Sequence, residues 1–362
     1  MLCASGFMRY TWRVWRVPWV VLTSMAMTAS QQAPMIASPS GVLNALWNTY
    51  GDQGGHWTGG DRTTSIPLPD GRTAWLFSDT FLGTVNPDHS RPPGSPMPRN
   101  TMVVQEKDGT LGATLHGGTP EHPRALVEGT SNEHLWVADG TVVNGALSVL
   151  YNRYEKTGNG ALDVRSTGTS LATFALPDLK LDTVTPLPLS PDVAWGSEIL
   201  DDGEFTYVYG AEHRGHEPKQ LLIARTHDLS KAWEFWTGAG WSPHESDAAP
   251  ALSGIGTAFS VTRAGTGFVL VTVDGTTPFS RKILAYPATS PTGPFGAPRV
   301  LYEAPEGATP ERRIIVYDAT THPQLNVLSY NVNSLDLADN LADARIYRPR
   351  FLDLELNGGA DE

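Results

Sequence analysis

Five times between residues 41 and 357 the chain repeats one local grammar: a short apolar run, a tight turn, a second run and often a third. The groups are Thr73–Phe81 with Asn100–Gln105; Leu135–Val137 with Ala146–Tyr154 and Leu171–Phe174; Asp192–Leu200 with Phe205–Tyr209, Leu221–Thr226 and Trp233–Trp236; Thr257–Thr262 with Gly267–Val273 and Lys282–Tyr286; and Ile314–Asp318 with Gln324–Tyr330 and Arg345–Leu356. The turns Asp70-Gly71, Asp108-Gly109, Asp139-Gly140 and Asp202-Gly203 punctuate them, each a dipeptide suited to a hairpin. Only Val42–Trp47, and more weakly Asp228–Phe235, read as helical turns. A group of strands recurring about every 63 residues predicts an all-β fold, a five-bladed β-propeller with six blades as the upper bound. More than about fifteen strands would be many for the rival β-sandwich.

The chain has 362 residues and a formal net charge of −12, and an acidic surface argues against a nucleic-acid partner. Thirty-six glycines and 28 prolines supply turns but stay below the roughly 25–30% that marks low-complexity sequence. Arg9, Arg13 and Arg16 before the apolar Val17–Met27 and small residues near Ala29 predict an export signal over 1–29 and a secreted protein, with a retained anchor as the alternative. That apolar run is too short to span a bilayer, so no membrane span is expected in the mature protein. Residues 30–40 read as a linker, 41–357 as one propeller domain and 358–362 as a tail. The one cysteine, Cys3, falls in the signal segment, so the mature chain is expected to carry no disulfide and no cysteine metal ligand. No cofactor and no metal are expected, and the protein is expected to be a monomer.

The stretch Trp57–Gly83, WTGGDRTTSIPLPDGRTAWLFSDTFLG, carries two acids in different settings. Asp61 follows Gly59-Gly60, where the backbone can bend and approach a ligand, and Asp79 ends the apolar run Ala74–Phe77. The turn Pro69-Asp70-Gly71-Arg72 folds one back on the other, so both carboxylates can reach one rim. Two carboxylates on one cleft are the minimum equipment for cleaving a glycosidic bond. Burial beside Trp75 and Phe77 points to Asp79 as the acid and Asp61 as the base. Trp57, Asn100, Trp195, His322, Tyr330 and Asn331 are candidate subsite residues. Arg348 could clamp a carboxylate or bridge two blades. Glu198 is the fallback proton donor, and the loop pair His213 and His216 is the nearest approach to a metal motif. No phosphate-binding glycine loop, HExxH or GxSxG pattern is present.

At WTGGDRTTSIPLPDGRTAWLFSDTFLG, HPQLNVLSYNVNS and YRPRF the chain resembles a family of secreted bacterial endo-D-arabinanases, glycoside hydrolases that cut the D-arabinan of mycobacterial cell walls and were formerly grouped as domains of unknown function. The resemblance covers most of residues 41–357. It implies a five-bladed propeller and an inverting mechanism on two first-blade aspartates, which map to Asp61 after the Gly-Gly pair and Asp79 in Phe77-Ser78-Asp79-Thr80. That family often has Gly after the first acid, where this chain has Arg62, a departure that bears on the substrate subclass. The implied partner is an arabinan or arabinogalactan polysaccharide. A propeller that binds cell-wall glycan without cleaving it, and a furanosidase or fructan-type hydrolase, are the alternatives.

Overall fold

The turn at Leu68–Arg72 closes the hairpin expected there, with Leu68 N–H donating to the Arg72 carbonyl at 2.8 Å and Gly71 at a φ of 89°. Its arms, Thr64–Pro67 and Thr73–Phe77, are the first two strands of the first blade, followed by Thr101–Gln105 and Leu111–Leu115. The protein is described here from a computed structural model, which covers residues 35–356 except 131, 159, 161, 162 and 213–217. The export signal, Cys3, His213, His216 and the tail 358–362 lie outside the described residues.

Four further antiparallel sheets follow the first. The second blade is Glu133–Val143, Ala146–Lys156, Val164–Ala175 and Lys180–Pro186. The third is Val193–Asp201, Thr206–Glu212, Gln220–Thr226 and Glu234–Trp236, extended by Trp241–Ser242. The fourth is Phe259–Ala264, Gly267–Val273, Lys282–Ala288 and Arg299–Glu303. The fifth is Ile314–His322, Val327–Ser334, Pro349–Glu355 and, as its outer strand, Ile36–Pro39. The first strands of the five blades contact one another in sequence, and the fifth contacts the first, which closes the ring. The fold is therefore the five-bladed β-propeller.

Three expectations are corrected. Asp139-Gly140 is not a hairpin turn: it lies inside the strand Glu133–Val143, and the turn falls at Asn144-Gly145, both at positive φ. Residues 36–39 are not linker: they pair antiparallel with Leu352–Glu355, so a segment from before the first blade finishes the last one. Asp228–Phe235 holds no helix; Glu234–Trp236 is a strand. The helical turn at Val42–Trp47 is longer than expected, Gly41–Gln53, and buries Trp47 and Tyr50.

The core is divided into five clusters, four of them between successive blades. The fifth lies between the last blade and the first and is aromatic: Trp47 from the helix meets Trp57 at 4.9 Å, Trp75 at 5.3 Å and Phe77 at 5.4 Å between ring centroids. Because middle strands are covered by neighbouring blades on both faces, they read as continuous apolar runs such as Ala74–Phe77 and Leu221–Ala224.

Candidate active site

Three of the five inner strands break register at a comparable level, between Val137 and Gly140, between Trp195 and Glu198, and between Tyr317 and Thr320. A bulge redirects the side chains beside it. Here it places Asp139, Glu198 and Asp318 along the central channel. Val137, Ala138, Ser197, Tyr317 and Asp318 line one cavity, while Asp139, Gly140, Glu198 and Thr320, further along the same strands, line another, so the two cavities occupy opposite ends of the channel. Arg62 lines both and divides them. It is buried at a φ of 52°, with Nε donating to the Ala138 carbonyl at 2.8 Å and Nη2 to the Ser197 carbonyl at 2.7 Å.

The larger cavity, about 1040 Å³, holds both Asp61 and Asp79. Their backbones are directly paired: Asp61 N–H donates to the Asp79 carbonyl at 3.1 Å, and Ser78 N–H to the Asp61 carbonyl at 2.9 Å. The preceding glycines serve close packing against protein rather than ligand. A Cβ on Gly60 would sit 2.9 Å from Trp57 Nε1, and one on Gly59 would run into the Tyr347 carbonyl.

The two carboxyls have opposite surroundings. Asp61 Oδ2 accepts a 2.8 Å hydrogen bond from the Tyr347 hydroxyl, and its buried Oδ1 has no partner among the described residues. Burial, then the charge of Asp79, then that of Asp318 hold the Asp61 carboxyl well above the usual carboxylate range; the Tyr347 and Tyr317 hydroxyls pull the other way. The Tyr317 hydroxyl is itself buried without a well-formed hydrogen bond. Asp79 is tied on both oxygens, to Arg99 Nη1 at 2.8 Å and to Trp136 Nε1 at 3.1 Å. Burial raises its pKa, but Arg99 and Trp136 oppose that rise. Burial raises both acids, and it is the neighbouring charges that distinguish them: other acids lie near Asp61, and a cation is paired with Asp79.

None of the other seven residues proposed from sequence lines this cleft. Trp57 is wholly buried in the aromatic core between the last and first blades. Asn100 is a buried staple, its amide donating to the Val127 and Leu135 carbonyls and accepting from Val127 N–H. Trp195 packs between the second and third blades and donates to Glu245 at 2.7 Å. His322 faces the opposite cavity, held by Ser65 at 2.7 Å and Ser329 at 2.8 Å, and burial pushes its pKa down to about 3, so its imidazole is neutral. Tyr330 is buried and donates to Glu306 at 2.9 Å. Asn331 is buried behind the site, its amide donating to the Gly60 carbonyl at 3.1 Å. Arg348 is buried and paired with Asp52 at 2.8 Å. All but Trp57, whose buried indole N–H has no hydrogen-bond partner among the described residues, bond to protein groups, which is the usual fate of buried polar atoms.

Glu198 lies at the other end of the channel in the cavity of about 450 Å³, near Asp139 and Arg62. Burial and the charge of Asp139 raise its pKa well above normal, and burial lifts that of Asp139 to about 6. Among the described residues no cluster of three or more His, Cys, Asp or Glu is arranged to hold a metal ion. The cleft residues that sequence reasoning missed are Arg99, Trp136, Tyr317, Asp318, Lys219 and Tyr347. Tyr347 stands in the YRPRF motif, one residue before the arginine that drew attention instead.

A family model described as a domain of unknown function, DUF5005, matches residues 44–356. No curated protein sequence matches the chain. A crystal structure from Bacteroides ovatus ATCC 8483, which carries only a provisional hydrolase assignment, superposes with a TM-score of 0.72 at 22% identity, over 91% of this chain and 93% of that one. At that identity the likeness is one of fold. The GH43_1 enzyme of Xanthomonas citri complexed with xylose has a TM-score of 0.47 at 14% identity, covering 86% of this chain and 92% of its own. CoXyl43, a β-xylosidase/α-arabinofuranosidase from a compost microbial metagenome, has a TM-score of 0.47 at 15% identity, covering 88% and 94%. Both are too distant to bear on chemistry.

Proposed function

The chain belongs to the DUF5005 family, and from that premise and the geometry of its cleft we propose that it is a glycoside hydrolase, specifically an endo-acting arabinanase of the D-arabinan type. One observation carries the reading: two carboxyls with paired backbones share a cleft, one crowded by other acids and the other neutralised by an arginine. Titratable pairs whose surroundings push them apart are how acid and base roles are divided at neutral pH.

In the mechanism, protonated Asp61 gives its proton to the glycosidic oxygen as the bond to the anomeric carbon breaks. Ionised Asp79, held by Arg99 and Trp136, takes a proton from the water that attacks the opposite face of that carbon. One water is consumed and the two carboxyls exchange protonation states, which solvent then resets. The product is expected with inverted configuration. A cleft of about 1040 Å³ lies at the top of the roughly 300–1,000 Å³ range of small-molecule sites, which suits several sugar units better than one. Among the described residues no helix is long and apolar enough to cross a membrane. Export through residues 1–29 is part of the proposal and would bring the enzyme to extracellular polymer.

The test is the appearance of reducing ends from mycobacterial arabinogalactan, beside L-arabinan, xylan and levan. Oligosaccharides from the first alone support the full reading, and cleavage of another furanose polymer keeps the hydrolase and moves the specificity. The Arg99–Asp79 ion pair is also what a glycan-binding propeller without activity could carry. Retention on the polymer without release of any product would favour that reading.

A further inference from the structure

The proposed chemistry occupies only the part of the cleft built by the first two blades and Tyr347. The remainder is lined by Lys219 of the third blade, by loop residues 274–280 of the fourth and by the bulge of the fifth. Two residues there stand out. Asp318 sits at a φ of 51° and accepts no hydrogen bond from any described residue; its attractive neighbours are Arg62 and Lys219, which act on it by charge without a direct ion pair among the described residues. A partly buried carboxylate without donors is costly unless something else supplies them. Phe279 is 65% exposed, lines the cleft and also has a positive φ of 56°, a conformation that bulky side chains seldom adopt. The bulge turns Asp318 into the cleft but supplies no donor to its carboxylate, and unusual backbone conformations of this kind gather at ligand sites.

We propose that Asp318, Lys219 and Phe279 form a glycan-binding subsite apart from the catalytic pair, resting on the reading of the cleft as a carbohydrate site. Asp318 accepts two hydrogen bonds from neighbouring hydroxyls of one sugar unit. Lys219, whose Nζ reaches Thr257 Oγ1, donates to an oxygen of the same unit. Phe279 offers its ring to the apolar C–H face of a further unit, as flat aromatic surfaces do. Arg62 and Lys219 carry positive charge near Asp318, and Asp61 and Asp79 line the same cleft, so the charges are mixed and the site suits an uncharged, hydroxyl-rich chain rather than a uronate or phosphorylated glycan. A site built to hydrogen-bond a hydroxyl strongly rejects the analogue that lacks it, which makes Asp318 the point at which sugars are told apart.

The experiment measures equilibrium binding of arabinogalactan-derived oligosaccharides, graded by length, to the full chain carrying Asp79→Asn so that nothing is cleaved. Adding Asp318→Ala is expected to weaken binding of every length at least tenfold, with Asp318→Asn in between. Adding Phe279→Ala, on an exposed side chain, is expected to weaken only the longer oligosaccharides, by roughly threefold to tenfold. Melting temperatures within a few degrees of the parent show that each variant is folded. Binding unchanged in both Asp318→Ala and Phe279→Ala would overturn the subsite while leaving the hydrolase reading intact. The expected losses in a protein whose wild type cleaves no glycan would support the subsite and overturn the hydrolase. No binding of any glycan by Asp79→Asn or wild type would overturn both.

Discussion

Tyr347→Phe removes one oxygen from the site and little else. The Tyr347 hydroxyl donates to Asp61 Oδ2 at 2.8 Å, while its ring packs edge-on against Phe81 at 5.3 Å, a contact that phenylalanine keeps. In the proposed mechanism Asp61 begins protonated and ends as a carboxylate, so the bond strengthens as the proton leaves. A hydrogen bond to a charged group contributes about 1.5–3 kcal/mol. Each 1.36 kcal/mol of transition-state stabilisation is a factor of ten in rate, so kcat/KM should fall roughly tenfold to 150-fold. The pH profile identifies the role. The hydroxyl favours ionised Asp61, so its loss raises a pKa already held high by burial, by Asp79 and by Asp318. If Asp61 is the acid, the basic limb of kcat/KM against pH moves to higher pH. The assay is reducing-end release from arabinogalactan between pH 4 and 9 at substrate concentrations below KM. A shift of the acidic limb instead would make Asp61 the base, and an unchanged rate with unchanged limbs would remove it from the chemistry.

Arg99→Met strips Asp79 of its ion pair. The acidic limb should move to higher pH and kcat/KM should fall by about one to two orders of magnitude, on the scale of about 1.5–3 kcal/mol for a charge-assisted bond; a profile identical to wild type would contradict the assignment of Asp79 as base. Glu198→Gln should leave glycan cleavage within a few-fold of wild type, because Glu198 faces the other cavity, and its complete loss would return Glu198 to the list of catalytic acids. Asp139 has a folded pKa raised to about 6 from 3.8, so its contribution to stability is full below about pH 4 and is lost as pH rises through 6. That span of about two pKa units corresponds to about 3 kcal/mol, and Asp139→Asn should remove it. Denaturant unfolding should therefore show wild type losing stability relative to this variant between pH 4 and 7, and a constant difference would refute the buried-charge account.

The middle strands of every blade were legible because both faces are buried and their residues form unbroken apolar runs. Outer strands were not: Lys180–Pro186 is exposed at nearly every position and carries no apolar signal, and Ile36–Pro39 pairs with a segment more than three hundred residues away. The two aspartates were legible because a turn with a defined sequence, Pro69–Arg72, joins them over a short distance. The supporting residues come from separate blades, and no local spacing connects Asp61 to Tyr347 or Asp79 to Trp136. Polar and aromatic residues at strand ends look like ligand contacts in the sequence. In a propeller those positions also hold the blades together, as Asn100 and Trp195 do. The bulges that turn Asp139, Glu198 and Asp318 into the channel leave no mark in a hydrophobic pattern.

The central claim, that Asp61 and Asp79 together cleave a glycosidic bond, is tested most directly by comparing wild type, Asp61→Asn and Asp79→Asn for oligosaccharide release from mycobacterial arabinogalactan, with folding of each verified by its melting temperature. The account predicts products from wild type and a loss of at least about a hundredfold in each variant, a general acid–base contribution being roughly 10²–10⁴. Wild-type-like release from either folded variant would contradict it.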